Sequence, residues 1–383
     1  MNKNWIISWM QGTALCGVLA LTNVACSEND NPDTPAGGNT FEEVVDQQMA
    51  QAAVDAYVDN TVIPTYLSMK NRVTALQTAV NTFLNNKTQA NLDAACDAWR
   101  AAREPWEESE AFLFGPAEYE GLDPSLDSWP LEMEEINAIL KNQNWGDLED
   151  GEANEEGEQS AWGVRGFHTL EYLLFESGNP RQATTVTDAE ARYTQIVTNR
   201  LLKDTETLYY AWSTDNVIEN YSNCFGDEFK EHNTSRFGSL ATVISQIFDG
   251  CIDIAGEVGD AKIGEPWNKY KTNKEEGVLA VESWYSWNSL TDYTNNIVSI
   301  DNAYNGGITG NRGTSLSDLV KSVNPSADEA LQNAIEQAKK QINEIPAPFR
   351  NHLDKDSEIE AAMDACSALS DALVKAKGAL KLD

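Results

Sequence analysis

Residues Trp162–Phe175 read WGVRGFHTLEYLLF, and this stretch determines the fold and the site that we expect for the chain. Its apolar residues recur at helical spacing, which predicts an amphipathic helix that begins at about Gly166. On such a helix His168 and Glu171 lie one turn apart, so an imidazole nitrogen and a carboxylate oxygen can reach the same point and hold a metal ion. The alternative is a chance spacing, because 61 of the 383 residues are acidic. The apolar residues are Phe167, Leu170, Leu173 and Leu174.

A second informative stretch is WRAAREPWEESEAF, residues 99–112. Pro105 lies inside its helical pattern and either bends the helix or restarts it one turn later. A bend at this point would aim Arg103 and Glu110 into a cleft instead of along a packed face. In the alternative interpretation, Arg103 only forms an ion pair with a neighbouring carboxylate.

Together with VESWYSWNSLTDYTNNI at residues 281–297, these stretches resemble the imelysin family, bacterial envelope proteins catalogued as M75 peptidases and also as iron-regulated proteins. Residues 166–171 are similar to the GxHxxE signature of that family. Residues 99–112 are similar to its W-x-x-x-R-x-P-[aromatic]-x-x-[ST]-E-x-F helix, and residues 281–297 to its E-S-x-[FY]-S…D…N-I stretch. The resemblance extends over residues 41–383 and implies a helical fold of two domains.

The resemblance also implies which side chains surround the site. Glu282 and Ser283 are placed there by the resemblance alone. The remaining residues that match the motifs and are expected to line the site are Trp99, Arg103, Ser109, Glu110 and Tyr285.

The first 25 residues are typical of an export signal. Lys3 is followed by an apolar run and then by the small residue Ala25 immediately before Cys26. This pattern resembles a lipoprotein signal peptide, which predicts lipidation of Cys26, a disordered tether over residues 26–40 and attachment to a membrane by lipid alone. The expected location is the cell envelope, as an outer-membrane lipoprotein on the periplasmic face or the cell surface. The alternative is ordinary secretion with cleavage nearby.

The charge of the chain excludes one class of partner. The sequence has 27 Lys and Arg against 61 Asp and Glu, a formal net charge of −34. Such a field repels nucleic acids and attracts cations, so we do not expect nucleic-acid binding. A strongly acidic surface also serves solubility, so the charge supports a cation ligand without identifying one.

The cysteines do not form a metal-binding pattern. Cys96, Cys224, Cys251 and Cys366 are widely separated and contain no C-x-x-C pair, so we do not expect a zinc site with thiolate ligands. Cys96 and Cys366 lie among apolar residues at helical spacing, which predicts buried free thiols. An even number of cysteines in an exported protein leaves a disulfide between the other two open.

Helical periodicity over most of the chain predicts an all-α protein made of two domains like four-helix bundles, with the site in the cleft between them. We place the N-terminal bundle at residues 41–215 and the C-terminal bundle at residues 216–383. A long helix is expected from about Lys274 to Tyr304. The turn-forming residues 115–130 predict a long loop that is functional or covers something.

Three functions fit these patterns. The first is metal binding or accessory iron uptake, with His168, Glu171, Glu110 and Glu282 as ligands for a divalent metal such as iron, zinc or calcium, and with an envelope transport partner. The second is an M75-type metallopeptidase that uses His168 and Glu171. The sequence has no His-Glu-x-x-His motif, so that function needs a distant third ligand and a general base. The third is a non-catalytic module that binds a peptide, a glycan or another small ligand.

Overall fold

The computed structural model describes residues 40–148, 161–217 and 223–382, and most of these residues lie in helices. The α-helices are α1 (Phe41–Val44), α2 (Gln47–Ala56), α3 (Ile63–Asn85), α4 (Gln89–Glu107), α5 (Pro116–Tyr119), α6 (Leu122–Asp127), α7 (Met133–Asn142), α8 (Gly166–Leu174), α9 (Asp188–Ser213), α10 (Phe225–Glu231), α11 (Leu240–Glu257), α12 (Glu265–Thr272), α13 (Lys274–Ala280), α14 (Ser289–Tyr304), α15 (Leu316–Val323), α16 (Pro325–Glu344) and α17 (Asp356–Ala379). Within the described ranges the sheet consists of β1 (Phe175–Glu176) paired antiparallel with β2 (Asn179–Pro180). The prediction of an all-α fold is therefore confirmed.

Side-chain caps begin two of the long helices, α4 and α9. Thr187 accepts a hydrogen bond from the backbone of Glu190, and the Glu190 carboxylate accepts one from the backbone of Thr187, so the pair forms a capping box at the start of α9. Thr88 caps α4 through the backbone N–H of Asn91. Helix α8 differs, because Arg165 precedes it in an extended conformation without a side-chain cap.

Pro105 lies inside α4, two residues before its end, and does not terminate it. A proline has no N–H, so the carbonyl four residues earlier loses its helical donor. The Ala101 carbonyl instead accepts a hydrogen bond from Nη1 of Arg72 at 2.8 Å. This substitute donor allows α4 to continue to Glu107 and to present Arg103 and Glu107 one turn apart.

The helices share one core. Helix α3 packs against α4 and α9, and α8 packs against the same two helices, while α11, α14, α16 and α17 pack against one another. Helix α14 also contacts α4, and a single hydrophobic cluster includes Trp99 and Phe167 as well as Ile297 and Leu369. Residues Asn39–Asp383 form one compact unit. The division into bundles at residues 41–215 and 216–383 stays a prediction.

The predicted long helix from Lys274 to Tyr304 is wrong. Helix α13 ends at Ala280, and a turn over residues 281–288 precedes α14. Ser283 and Trp287 have φ values of 52° and 62°, which a right-handed helix does not allow. The turn contains no glycine or proline, so its conformation is held by contacts with other parts of the chain.

The predicted loop at residues 115–130 contains two short helices, α5 and α6. Gly115 and Gly121 precede them with φ values of 74° and 58°, a region of backbone conformation that glycine adopts without strain. Pro116 then occupies the first position of α5, where its missing N–H costs nothing. The turn signals were correct, but they bracket helices and bring Asp127 to the end of α6.

The free thiols expected at Cys96 and Cys366 are confirmed, and Cys224 and Cys251 are also free and buried. The predicted signal peptide, Cys26 and nearly all of the predicted tether lie outside the described residues. Among the described residues, no helix combines the length and the apolar character that crossing a bilayer requires.

Gly166 provides a test of how α8 is held against α6. Its φ is +86°, and a Cβ there would lie 2.4 Å from the carbonyl oxygen of Leu126. Gly166→Ala should lower the free energy of unfolding by about 2–4 kcal/mol, because the strain combines with a clash against backbone atoms. Chemical denaturation measures this loss.

The matched control is Gly256 in α11, where a Cβ would meet no atom within 4 Å. Gly256→Ala should leave stability unchanged or raise it by up to about 1 kcal/mol. Equal effects of the two substitutions would contradict the close approach of α6 to α8.

Candidate functional site

His168 lies fully buried in the first turn of α8, between carboxylates from three other positions. Its Nδ1 is 3.1 Å from Oε2 of Glu171. Its Nε2 is 3.2 Å from Oδ1 of Asp127 and 3.4 Å from Oε1 of Glu282. The ring of Trp129 covers the imidazole with 4.9 Å between ring centroids. Both ring nitrogens therefore face carboxylate oxygens in a site enclosed by protein.

Glu171 contacts the imidazole itself, on the side of Nδ1. Its other oxygen, Oε1, accepts hydrogen bonds of 2.7 Å from both the backbone N–H and the hydroxyl of Ser286. A carboxylate in this position fixes the orientation of a histidine ring and leaves the opposite nitrogen free to act. The structure thus places Glu171 as an orienting partner of His168, while a direct role for it as a metal ligand stays a prediction.

Arg103 projects from α4 into the centre of the cluster and is completely buried. Its Nη1 contacts Oδ1 of Asp127, and its Nη2 lies 2.8 Å from Oε1 of Glu282 and 3.3 Å from Nε2 of His168. Nη2 also pairs with Glu107 in the next turn of α4. Arg103 therefore pairs with a neighbouring carboxylate and also projects into the charged cluster, while its role in the site stays a prediction.

The other side of the guanidinium approaches α14. Nε of Arg103 lies 3.5 Å from Oδ2 of Asp292, which also accepts a 2.6 Å hydrogen bond from the hydroxyl of Ser283. Ser283, predicted at the site by resemblance, therefore reaches the cluster through Asp292. Residues on α4, α6, α14 and the 281–288 turn all meet at this one guanidinium.

Lys262 supplies a second buried cation from a π-helical segment, Val258–Gly264, that joins α11 to α12. Its Nζ lies 3.3 Å from Oε2 of Glu282, 3.6 Å from Oε1 of Glu110 and 3.8 Å from Oε1 of Glu257. Glu110, predicted as a metal ligand, is therefore brought next to Glu282 through Lys262. Irregular π-helical turns often occur at functional positions.

The ionisation of the cluster follows from burial and neighbouring charge. Burial opposes the charged imidazolium, but Asp127 together with the hydrogen bonds to Glu171 and Glu282 outweighs this effect and raises the pKa of His168 to about 9. Burial opposes ionisation of Asp127 as well, yet Arg103 and then His168 hold its pKa below the usual value. Burial also opposes ionisation of Glu282, but the positive charge of Lys262, followed by those of His168 and Arg103, lowers its pKa. Burial raises the pKa of Glu107 to about 8, because Arg103 compensates only in part.

Two residues expected at the site, Trp99 and Ser109, donate hydrogen bonds to backbone carbonyls near it. The indole Nε1 of Trp99 donates a 3.0 Å hydrogen bond to the carbonyl of Phe167, and the two rings form an edge contact. The hydroxyl of Ser109 donates to the carbonyl of Trp106 at 2.6 Å. Trp99 thus anchors the start of α8, and Ser109 completes the end of α4.

Tyr285 lies apart from the charged cluster. Its ring stacks on Trp284 at 4.3 Å between centroids and meets the edge of Tyr172 at 5.3 Å. Its hydroxyl lies 3.6 Å from the sulfur of Met133. Tyr285 therefore belongs to an aromatic stack that the 281–288 turn forms with Tyr172.

Several charged residues of the site were not selected from the sequence. Asp127 belongs to the predicted loop at residues 115–130, and its Oδ2 accepts a 2.7 Å hydrogen bond from the indole of Trp106. Glu107 follows Arg103 by four residues, so the helical spacing of the pair was a usable signal. Asp292 is the Asp of the E-S-x-[FY]-S…D…N-I stretch, so the resemblance was a usable signal for it, whereas Lys262 had none because its partners are distant in sequence.

The donor set fits a divalent cation. Asp127, His168 and Glu282 each offer one ligand atom, and these atoms all lie within 4.8 Å of one another. One imidazole with two carboxylates suits iron, manganese or zinc, whereas calcium prefers about six to eight oxygen ligands. A second group, Glu107 with Glu110, shares Asp127.

The charges of the cluster also favour a cation. In the ion pairs described above, six carboxylates share three cationic partners, Arg103, Lys262 and His168. The carboxylates are Glu107, Glu110, Asp127, Glu171, Glu282 and Asp292. Buried negative charge in excess of its partners is unfavourable, and it is relieved either by proton uptake or by binding a cation.

Comparisons with known proteins agree with the all-α fold. The profile of the family Peptidase_M75, described as imelysin, matches residues 62–376. A protein named Iron-regulated protein A from Synechococcus elongatus is 28% identical over 324 residues, which make up 84% of this chain and 83% of that protein.

Solved structures share the fold. A protein described as an iron-regulated protein A precursor from Parabacteroides distasonis ATCC 8503 is 37% identical with a TM-score of 0.83, covering 90% of this chain and 100% of that chain. An imelysin-like protein from Psychrobacter arcticum 273-4 has a TM-score of 0.63 at 14% identity, covering 86% of this chain and 95% of that chain. With the family profile matching most of its length, this chain belongs to the imelysin family.

Proposed function

We propose that this protein binds a divalent cation, with iron as the favoured ion, at Oδ1 of Asp127, Nε2 of His168 and Oε1 of Glu282. The observation that carries the proposal is the convergence of these three ligand atoms within 4.8 Å of one another. They come from α6, from α8 and from the 281–288 turn, so the folded chain creates the site.

The proposed ligands are held in place by other groups. Glu171 fixes the imidazole from Nδ1, the indole of Trp106 holds Oδ2 of Asp127, and Lys262 holds Oε2 of Glu282. Each ligand atom therefore projects from a side chain whose opposite atom is already bound. Such outer contacts orient ligands and raise affinity for a metal. A cation at Nε2 requires the imidazole to be deprotonated at that atom, so cation and proton compete there.

Iron is the favoured ion for two reasons. The mixed nitrogen and oxygen donors suit a first-row transition metal. Two relatives, from Synechococcus elongatus and Parabacteroides distasonis, are described as iron-regulated proteins. We infer a role in acquiring or handling iron in the cell envelope.

The geometry supports cation binding more strongly than it supports hydrolysis or the recognition of an organic ligand. A peptidase needs a general base free to act on water next to the ion. Glu171 is hydrogen-bonded at both oxygens, and Asp127 and Glu282 both pair with buried cations. An organic ligand bound by Arg103 would have to displace several carboxylates from the guanidinium at once.

Titration of the purified protein with Fe²⁺ under anaerobic conditions, and with Zn²⁺ and Ca²⁺, tests the proposal. We expect one ion of Fe²⁺ or Zn²⁺ per chain and weaker binding of Ca²⁺. Glu171→Gln should reduce affinity by about 10- to 100-fold, the loss typical of a residue that orients a ligand. His168→Asn and Asp127→Asn each remove a proposed ligand and should reduce affinity by more than that. Equilibrium dialysis with elemental analysis measures all four proteins.

The control is His352→Asn, which removes a histidine whose Nδ1 lies 3.0 Å from the Pro348 carbonyl, outside the cluster. It should bind the ion as the wild type does. Wild-type protein that binds no ion, or equal affinity in the His168 and His352 variants, would refute the proposed site.

We also propose that the protein is exported and anchored to a membrane by lipid at Cys26. The support is the signal-like sequence that ends at Ala25. Cells that express the full chain and are fed a labelled fatty acid should incorporate the label into this protein, and Cys26→Ser should abolish incorporation. Label that persists in Cys26→Ser would contradict the anchor.

A further inference from the structure

The guanidinium of Arg103 contacts all three side chains proposed as cation ligands. Nη1 reaches Oδ1 of Asp127, while Nη2 lies 2.8 Å from Oε1 of Glu282 and 3.3 Å from Nε2 of His168. We infer that Arg103 is a built-in competitor, a tethered cation that must leave these atoms before a metal ion can bind them. This inference rests on the proposed function of the site.

Simultaneous occupation is excluded by distance and charge. A transition metal binds oxygen and nitrogen ligands at about 2.0–2.2 Å. An ion at that distance from the three atoms that Arg103 now contacts would meet the guanidinium within the same small, buried space. Two positive groups repel strongly there, because the interior screens charge poorly. Metal entry and displacement of the guanidinium are therefore one event.

The surroundings provide Arg103 with another place to bind. Glu107 pairs with Nη2 from the next turn of α4, and Oδ2 of Asp292 lies 3.5 Å from Nε. Neither carboxylate belongs to the proposed ligand set. A shift of the guanidinium toward these two carboxylates would release Asp127, His168 and Glu282 and leave it with charged partners. A buried guanidinium without partners would be strongly unfavourable. These two carboxylates would remain as its partners after displacement.

The ligands keep their positions without Arg103. Asp127 is held by Trp106 and Glu282 by Lys262, as described above. Each of these two ligands therefore has a contact that does not depend on the position of the guanidinium. Its effect is to occupy the ligands for part of the time, and the apparent affinity equals the intrinsic affinity multiplied by the fraction of time in which the ligands are free. Such competition favours reversible loading and release of the ion over permanent retention.

The test compares metal affinity in wild type, Arg103→Gln and Lys262→Met, measured by competition with a chelator of known affinity for Zn²⁺ or Fe²⁺. Lys262→Met is the matched control, because it also removes one positive charge from Glu282, but from Oε2 and away from the other two ligands. Arg103→Gln should bind the ion about tenfold more tightly than wild type or better, as expected if the ligands are free in about a tenth of the molecules or fewer. Lys262→Met should produce a smaller gain or none, because the positive charge it removes also holds Glu282 in place.

A gain in Lys262→Met equal to that in Arg103→Gln would show that the effect is general electrostatics, and it would overturn the inference. An affinity of Arg103→Gln at or below that of wild type would overturn it as well. If wild type, Arg103→Gln and Lys262→Met all fail to bind an ion, the proposed function itself is refuted.

Arg103→Lys provides a variant that keeps the charge if Arg103→Gln does not fold. A lysine has a single charged nitrogen and cannot contact Asp127 and Glu282 through two separate atoms, so it competes less effectively. We expect it to bind the ion more tightly than wild type, by a smaller factor than Arg103→Gln. Affinity equal to that of wild type, in a variant with the wild-type melting temperature, would overturn the inference.

Discussion

The burial of one guanidinium constrains the rest of this structure. Arg103 lies out of contact with water and pairs with Glu107, Asp127, Glu282 and Asp292. A buried charge is tolerated only when its partners surround it. The segments that carry these carboxylates, α4, α6, α14 and the 281–288 turn, must therefore meet around Arg103 for any of them to be stable there.

The same requirement explains the local irregularities nearby. Gly166 allows α8 to approach the backbone of α6, which brings His168 next to Asp127. The break between α13 and α14 lets the backbone N–H of Ser286 reach Glu171, and Glu171 in turn orients the imidazole. A continuous helix from residue 274 to 304 would have kept that N–H within its own hydrogen-bond ladder. Departures from regular helix thus concentrate where the site needs backbone groups and close contacts.

The sequence was sufficient for features that depend on local pattern. Helical periodicity predicted the all-α fold and α8, and the one-turn spacing of His168 and Glu171 predicted that the imidazole and the carboxylate can meet. Asp127 and Lys262 could not be selected, because their significance comes from partners that are distant along the chain. The 281–288 turn was missed since it lacks the residues that usually signal a turn, and tertiary contacts hold its positive φ angles instead.

The central claim is that Asp127, His168 and Glu282 form one cation site. Anomalous diffraction from crystals grown with Fe²⁺ or Zn²⁺, recorded on both sides of the absorption edge of the metal, tests it most directly. The account predicts one strong anomalous peak at bonding distance from Nε2 of His168 and from oxygens of Asp127 and Glu282. A peak confined to the other group of candidate ligands, Asp215, Cys224 and Asp227, or no peak in the presence of the metal, would contradict it.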